Sequence, residues 1–385
     1  MGGFCDLPEE LLMKIMLQLP IKSLVCVKCV QKSWNRLINS KAFVAEHLEQ
    51  AITNTNSSLF IFNYIFNKLI ERNQMVDEFV TICNSNHTEI QHMISFSIDF
   101  GPPEFPTNYS NAIHCNGLIC LLDTHHRFVS FVNPALRRFK QLTAPCNPYS
   151  LGFGNYFTPI GFGHDSTNNL YKVVRLVISK FIIGAQIHIL GIDDDDSWRE
   201  IEVEIEILKN YEIYLLCWHD EQLYCKGVYY WILNAGAEFE MMILFDMHNE
   251  KFRTIRLPIQ DYPPNTKLAL WNESMVLFRY PAYWLEPFGP YEMWVMHESI
   301  NGDDEKSYSW IKHLTITQFE FHYEPLVFWK NEELILKCYT RARANMDHLA
   351  SYNLRTQQLR RLDWSRLQQI IVYAFGYVQS LVWID

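Results

Sequence analysis

The feature that most constrains this chain is a recurring unit of strand, polar turn and strand. Three copies share that form: FVNPALRRFKQL from residue 131, LFDMHNEKFRTIRL from 244 and SYNLRTQQLRRLD from 351. Two further units, GIDDDDSWREIEV from 191 and VMHESINGDDEKSYSWIKHL from 295, carry a Ser-Trp pair after an acidic turn. Unit starts near 132, 192, 245, 296 and 352 give spacings of 60, 53, 51 and 56 residues. A period of about fifty residues is typical of four-stranded propeller blades.

The composition favours the same architecture. Aromatic residues make up 15% of the 385 residues, and strand-sized runs such as YKVVRLVI and MMILF are rich in aromatic and β-branched side chains. We therefore predict a mainly β chain with a small α N-terminal module and a kelch-like β-propeller. The propeller has six blades if the stretch from Leu59 to Phe100 completes one, and five if that stretch is a connector. A β-sandwich would show shorter and more even spacing.

The first fifty residues predict three short helices. Pro8 suits a first helical turn and Pro20 cannot continue the helix that follows it. Apolar residues recur at helical spacing between them, at Leu11, Leu12, Ile15, Met16 and Leu19. A module of about fifty residues cannot enclose this much apolar surface alone, so part of it is expected to contact a partner.

The charge is unevenly distributed. The formal net charge is −10, and residues 191–250 carry fifteen acidic against three basic residues, a local balance of −12. Residues 111–190 carry seven basic against two acidic residues. Such a chain repels nucleic-acid phosphates and suits a basic protein partner.

The N-terminal segment LPEELLMKIMLQLPIKSLVCVKCVQKSWNRLI resembles an F-box from end to end. The resemblance implies that its helices bind a Skp-type adaptor, which joins them to cullin and RING subunits of a ubiquitin ligase. The alternative is a helical hairpin that packs only on its own β domain. The residues implied to face the adaptor, or to support that face, are Leu7, Pro8, Leu11, Ile15, Leu19, Pro20, Leu24, Val30 and Trp34.

The rest of the chain resembles the plant F-box-associated domain, through segments such as HCNGLICLLD, VNPALRRFKQL, GFGHDSTNNLYKVVRL and FDMHNEKFRTIRLP. The whole arrangement is most similar to S-locus F-box proteins of pollen. That resemblance implies recognition of non-self S-RNases, which are basic, for ubiquitination in self-incompatibility. It departs from the family pattern at Leu136 and Thr143, and residues 51–112 give no clear motif. The expected domains are an F-box over 1–48, a connector with possible first-blade strands over 49–112, and the F-box-associated domain over 113–385.

The resemblance implies a specificity subunit that is not an enzyme and needs no cofactor or metal. Two other hypotheses remain open: an F-box adaptor for a different plant protein, and a propeller enzyme or glycan-binding module. The charged start MGGFCDLPEE does not match a signal peptide, and no run of eighteen apolar residues is present. We therefore expect a cytosolic protein, in pollen or the pollen tube if the S-locus resemblance holds, with its ten cysteines reduced.

Other candidate sites are weaker. Cys26 and Cys29 form a Cys-x-x-Cys without a second ligand pair, which favours two buried helical cysteines over a zinc site. His114 beside Cys115 has no third orienting group in the sequence and favours a structural role. The glycines of GFGNYFTPIGFGHD fail the phosphate-loop spacing and are expected to let the chain turn tightly.

The acidic region contains a strict alternation from Ile201 to Ile207, which predicts a strand with its carboxylates on one face. That face is either a solvated outer strand, charged against edge pairing, or a docking surface for a basic target. The candidate target-binding residues are Asp193, Asp194, Asp195, Asp196, Glu202, Glu204 and Glu206.

Overall fold

The computed structural model describes most of the chain as one helical module followed by sheets. The described residues are 8–53, 59–64, 78–83, 92–97, 109–123, 128–143, 158–178, 183–192, 197–205, 222–234, 240–258, 265–281, 289–300, 306–317, 319, 321–329, 332–339, 346–362 and 371–384.

The helical module has four helices where the sequence analysis expected three. They are α1 (Glu9–Leu17), α2 (Ile21–Val27), α3 (Lys32–Ile38) and α4 (Lys41–Thr53). Ser40 starts the fourth helix, because its hydroxyl accepts a hydrogen bond from the backbone N–H of Phe43 at 3.2 Å. The expected F-box boundary at residue 48 lies inside α4, so we propose that the helical module extends to Thr53. None of the described helices is long and apolar enough to cross a membrane.

The described strands form six four-stranded antiparallel sheets, which agrees with the predicted propeller and with its six-blade form. Five sheets follow chain order from inner to outer strand. The second contains β4 (Tyr109–Cys115), β5 (Leu118–Asp123), β6 (Phe128–Asn133) and β7 (Arg138–Thr143). The third contains β8 (Ile160–Asp165), β9 (Leu170–Ile178), β10 (Ile183–Ile189) and β11 (Arg199–Ile201). The fourth contains β12 (Gln222–Cys225), β13 (Val228–Asn234), β14 (Glu240–Asp246) and β15 (Lys251–Arg256). The fifth contains β16 (Asn265–Trp271), β17 (Ser274–Tyr280), β18 (Tyr291–Ile300) and β19 (Lys306–Ile316). The sixth contains β20 (His322–Trp329), β21 (Glu333–Tyr339), β22 (Met346–Asn353) and β23 (Leu359–Leu362).

The first sheet combines the two ends of the propeller sequence. Its strands are β24 (Ile371–Tyr377), β1 (Leu59–Tyr64), β2 (Glu78–Cys83) and β3 (His92–Ser97), in that order. Strand β24 pairs antiparallel with β1, with Leu59 opposite Tyr377. The inner strands β24, β4, β8, β12, β16 and β20 each contact the next, and β20 contacts β24. The ring is therefore closed by hydrogen bonds between early and late strands.

The propeller core lies between neighbouring sheets. Two glycines expected to form a turn, Gly161 and Gly163, instead lie within β8. A Cβ on Gly161 would lie 2.7 Å from the Trp231 ring, and one on Gly163 would lie 2.5 Å from the Tyr224 ring. These glycines therefore allow large aromatic side chains of the fourth sheet to pack against the third.

Several hairpin turns lie together at one end of the propeller. Among them are the turns Asn116–Gly117, Lys226–Gly227 and Asn272–Glu273. Side chains join them around the ring: Asn116 donates to the Tyr171 hydroxyl at 3.1 Å, Lys172 donates to the Met247 carbonyl at 2.6 Å, and Lys226 pairs with Glu273 at 3.2 Å. We call this end of the propeller the turn end.

Candidate adaptor and target surfaces

The helical module has its own small core. Its buried members are Leu12, Met16, Leu17, Ile21, Leu24, Ile38 and Phe43, joined by Leu381 from the C-terminal segment. Only part of the predicted apolar stripe of α1 is therefore available to a partner, because Leu12 and Met16 are buried in this core.

The other row of α1 remains on the surface. Leu11 and Ile15 are 48% and 40% exposed, and their i, i+4 spacing places them on one face. Val25 and Val30, in and just after α2, are 40% and 67% exposed. Large exposed apolar side chains on a small module are typical of protein-binding surfaces. We call these four residues the apolar surface of the helical module.

The other predicted adaptor residues lie in different environments. Pro8 and Pro20 are exposed, Leu19 and Trp34 pack partly buried against the helical core, and Leu24 is fully buried. Leu24 can therefore support the surface but cannot contact a partner. Leu7 lies outside the described residues.

Val25 was missed by the sequence analysis. The sequence offered a clue, because Val25 follows directly on Leu24 in α2 and is apolar. It lies next to the face that Ile21 and Leu24 bury.

The C-terminal segment joins the helical module to the turn end of the propeller. The buried Asn133 side chain donates to the backbone carbonyls of Ser380 and Val382, at 3.1 and 2.7 Å. Ser380 in turn donates through its hydroxyl to the Asn116 carbonyl at 2.6 Å. Leu381 then packs among the helices while Val382 packs in the propeller core. Alternating side chains of one short segment thus fasten both parts.

The acidic stretch keeps its predicted alternation but not its predicted strand. Glu202 and Glu204 are exposed, whereas Ile205 is buried in the propeller core. Strand β11 ends at Ile201, which pairs with Ala185, so the regular ladder covers only the first residue of the alternating segment. Packing of the apolar side chains maintains the alternation without ladder hydrogen bonds. Asp193–Asp196 and Glu206 lie outside the described residues.

An ion-pair network lies beside this stretch at the turn end. Lys172 contacts Asp165 and Glu250, each at 3.0 Å, and Arg199 contacts Glu250 at 2.7 Å. Burial would raise the pKa of Asp165, but hydrogen bonds from Asn168 and Lys172 outweigh it and hold that pKa well below its usual range. The network leaves Glu202 and Glu204 uninvolved, and joins the third sheet to the fourth.

The candidate nucleophiles are held in structural contacts. His114 accepts a hydrogen bond from the Gly117 N–H at 3.0 Å and stacks on Phe375, and burial lowers its pKa to about 4. Burial raises the pKa of the Cys115 thiol, which disfavours the reactive thiolate.

Cys26 and Cys29 are exposed, so the prediction that they are buried was wrong. They lie away from the Ile21 and Leu24 face that the module buries. No group of metal ligands occurs among the described residues.

Comparisons with known proteins agree with this two-part organisation. Residues 4–46 match the F-box-like family, and residues 72–384 match the family described as the F-box associated beta propeller domain. A probable F-box protein of Arabidopsis thaliana is 26% identical over 267 residues, 68% of this chain and 58% of that protein. An F-box/LRR-repeat protein of the same plant is 24% identical over 357 residues, 87% of this chain and 77% of that protein.

Solved structures give a weaker likeness. TolB from Acinetobacter baumannii covers 84% of this chain and 69% of its own, at 10% identity and a TM-score of 0.43. That score is too low to support an argument beyond the sheets described above.

Proposed function

The chain belongs to the F-box proteins that carry an F-box-associated β-propeller, and from that premise we propose that it is the substrate-recognition subunit of an SCF-type cullin-RING ubiquitin ligase. The observation that carries this proposal is the apolar surface of the helical module, with Leu11 and Ile15 exposed on α1. Burial against an adaptor would remove the remaining exposed area of these side chains from water, which is favourable by about half of the ~1.5–3 kcal/mol gained by a fully exposed side chain, because 48% and 40% of them are exposed.

The proposed mechanism is positional and uses no acid, base or nucleophile of this chain. Binding an adaptor and a target on one body raises the effective concentration of target lysines near a ubiquitin thioester carried by another subunit. This mechanism requires a stiff connection between the two binding parts. The contacts of Asn133, Ser380 and Leu381 between module and propeller support it.

We expect replacement of Leu11 and Ile15 together with Ala to weaken the complex with a plant Skp-type adaptor at least about tenfold. The physical reason is that truncation of buried apolar anchors commonly costs ~2 kcal/mol or more each. The measurement is a binding titration with the full chain and the purified adaptor.

The matched control replaces Ile311 and Leu359 with Ala. They are 53% and 40% exposed, close to the exposure of the test pair, but lie on the propeller strands β19 and β23. The control variant should bind the adaptor as the unchanged chain does. Unchanged affinity of the Leu11 and Ile15 variant would contradict the proposed adaptor surface.

We propose that the target is a basic protein. More specifically, we propose that it is an S-RNase, which this chain would bind in the cytosol of pollen or the pollen tube. The local balance of −12 over residues 191–250 and the exposure of Glu202 and Glu204 support a basic target. The S-RNase itself rests on the resemblance to S-locus F-box proteins, and a different basic plant protein would fit the same charges.

Replacement of Glu202 and Glu204 with Lys should slow association with a basic S-RNase severalfold at low salt, because opposite charges speed encounter. The difference should shrink at high salt, where charges are screened over a few Å. Surface plasmon resonance at two salt concentrations measures both effects. A variant with Glu49 and Glu332 replaced by Lys carries the same charge change at other exposed positions and is the control. Equal on-rates for the two variants would leave Glu202 and Glu204 as solvated residues of an outer edge.

A further inference from the structure

Two exposed cysteines lie at the end of α2 and have no role in the proposed function. Cys26 is in the last turn of α2, Cys29 follows the helix, and both are exposed. The other cysteines that the structure describes are buried or partly buried. An exposed thiol is accessible to oxidants, and a second thiol close to it allows a disulfide to form. The pair is therefore a candidate modification site.

The backbone at the end of α2 holds the two cysteines one turn apart. The Cys29 N–H donates to the Cys26 carbonyl at 3.1 Å, and the Val30 N–H donates to the Val27 carbonyl at 3.0 Å. These are the i to i+3 hydrogen bonds of a 3₁₀ turn, in which side chains three positions apart are eclipsed. Leu24 and Val27 occupy the side of the turn that packs in the helical core. Cys26 and Cys29 thus lie side by side on its exposed side.

The cysteine pair lies beside the apolar surface of the helical module. Val25 directly precedes Cys26 and Val30 directly follows Cys29, and both valines are exposed. The Cys29 Sγ lies 4.0 Å from the Val25 carbonyl oxygen, one turn back along the helix. An adaptor that covers Val25 and Val30 would therefore contact the two thiols as well.

A disulfide between the two cysteines would change the shape of this surface. Residues one helical turn apart have Cβ atoms ~5–6 Å apart, whereas a disulfide needs ~3.5–4.5 Å. The end of α2 has to tighten by about 1–2 Å to close that gap. Val30 would move with Cys29, to which it is directly joined. Lys28, which lies between the cysteines, would also move, although its ammonium donates to the Asn39 Oδ1 at 2.6 Å.

We propose that Cys26 and Cys29 form a reversible oxidation site whose disulfide weakens binding of the adaptor. This regulation rests on the adaptor surface proposed above. With hydrogen peroxide as the oxidant, one thiolate attacks a peroxide oxygen, which gives a sulfenic acid and releases one water after protonation. The second thiol then displaces the sulfenic oxygen as another water and forms the S–S bond. The two thiols lose two electrons and two protons in total, and an external dithiol reverses the step and is itself oxidised.

Binding of the adaptor and oxidation of the pair are then thermodynamically linked. If the disulfide weakens the complex, the adaptor must favour the reduced pair by the same factor. A tenfold difference in affinity corresponds to a rise of ~30 mV in the reduction potential of the disulfide when the adaptor is bound.

Disulfide formation is measured first, on the full chain without adaptor. Trypsin cleaves after Lys22, Lys28 and Lys32, so the two cysteines fall on separate peptides, residues 23–28 and 29–32. After treatment with hydrogen peroxide, mass spectrometry should find these two peptides joined, and dithiothreitol should separate them. Absence of the joined peptides would overturn the proposal without any need for a variant.

Adaptor binding is measured next, with the treated chain freed of peroxide and a purified Skp-type adaptor that was never exposed to it. We expect the oxidised chain to bind at least about tenfold more weakly, because Val30 and its neighbours no longer fit the same partner. Dithiothreitol should restore the affinity, which distinguishes a disulfide from methionine sulfoxide, whose repair needs a dedicated reductase. Unchanged affinity of a chain that carries the joined peptides would overturn the proposal.

Two variants locate the effect. Cys29→Ser removes one thiol of the pair, so its affinity for the adaptor should be the same before and after peroxide. Cys225→Ser removes a partly buried thiol of β12 in the propeller and should retain the tenfold loss. Equal sensitivity of the two variants to peroxide would assign the effect to other residues and refute the oxidation site.

The reduction potential gives a second readout of the linkage. In dithiothreitol redox buffers, the fraction of joined peptides should report a potential ~30 mV higher with saturating adaptor than without it. An unshifted potential would contradict the coupling. A reduced chain that does not bind the adaptor would refute the proposed function and this regulation with it. A reduced chain that binds the adaptor, and binds it equally after oxidation, would refute the regulation alone.

Discussion

At the scale of residues, the two-residue hairpin turns at the turn end need residues that adopt positive φ. Asn116 and Gly117 have φ values of 53° and 84°, and Lys226 and Gly227 have 46° and 82°. Positive φ at both central positions is the conformation of two-residue hairpins, which Asn-Gly adopts readily. The pair Asn116–Gly117 suits such a turn by its residue types, whereas the close approach of Ser380 to Gly117 is not visible in the sequence.

Gly117→Ala should be much more destabilising than Gly227→Ala. A Cβ at Gly117 would lie 2.3 Å from the Ser380 hydroxyl oxygen and 2.6 Å from the Val378 carbonyl, whereas one at Gly227 would meet no atom within 4 Å. Both substitutions carry the same strain of positive φ, ~1 kcal/mol. The added clash should bring the Gly117→Ala loss to ~3 kcal/mol or more in the free energy of unfolding. Urea unfolding measures the difference, and equal midpoints for the two variants would refute the role of the contact with Ser380.

The residue pattern alone does not show which apolar residues of α1 form the apolar surface of the helical module. In the sequence, Leu11 cannot be told from Leu12, nor Ile15 from Met16, because all four belong to one apolar stripe. Only the packing of α1 decides that Leu12 and Met16 are buried while Leu11 and Ile15 remain exposed. A stripe wider than one contact face cannot be divided from periodicity alone.

At the scale of elements, the repeating unit has a common turn. Asn133, Asp165, Asp246 and Asn353 each accept backbone N–H hydrogen bonds through their side chain from residues two or three positions later. The residues four positions later, Arg137, Asn169, Glu250 and Gln357, all have positive φ near 55°. Asn and Asp suit this turn because their side chains replace a backbone acceptor. The polar turns seen in the sequence repeat are therefore one local structure.

Asn133→Asp should be strongly destabilising while Asn353→Asp should be close to neutral. Either carboxylate can accept the turn hydrogen bonds, as Asp165 and Asp246 do. The amide of Asn133 also donates to two buried carbonyls of the C-terminal segment, and an aspartate would place a charged oxygen against them. An uncompensated buried charge costs ~3–5 kcal/mol.

The measurement is the free energy of unfolding, together with limited proteolysis of the C-terminal segment. Asn353→Asp, whose expected change is within ~0.5 kcal/mol, controls for the turn itself. Similar losses in the two variants would mean that the hydrogen bonds to Ser380 and Val382 do not hold the segment.

At the scale of the whole molecule, distant parts of the chain meet at one junction. Strand β24 pairs with β1, and the residues that follow it run from Asn116 and Asn133 of the second sheet to the helical module. Closure of the ring and attachment of the module therefore depend on one C-terminal stretch, residues 371–382. Such a junction suits the proposed mechanism, because a target held on the propeller then keeps a fixed position relative to the adaptor.

The sequence by itself determined the class of each part, since period, turn chemistry and helical spacing are local properties. The repeat of about fifty residues predicted four-stranded sheets, and the N-terminal motif predicted a helical adaptor module. Tertiary structure alone decided which apolar residues stay exposed, and that Glu202 and Glu204 lie beyond a short strand. These outcomes depend on contacts between residues far apart in the chain. The local sequence pattern cannot predict such contacts. The pairing of Leu59 with Tyr377 is an example, because these residues are more than three hundred positions apart in the chain.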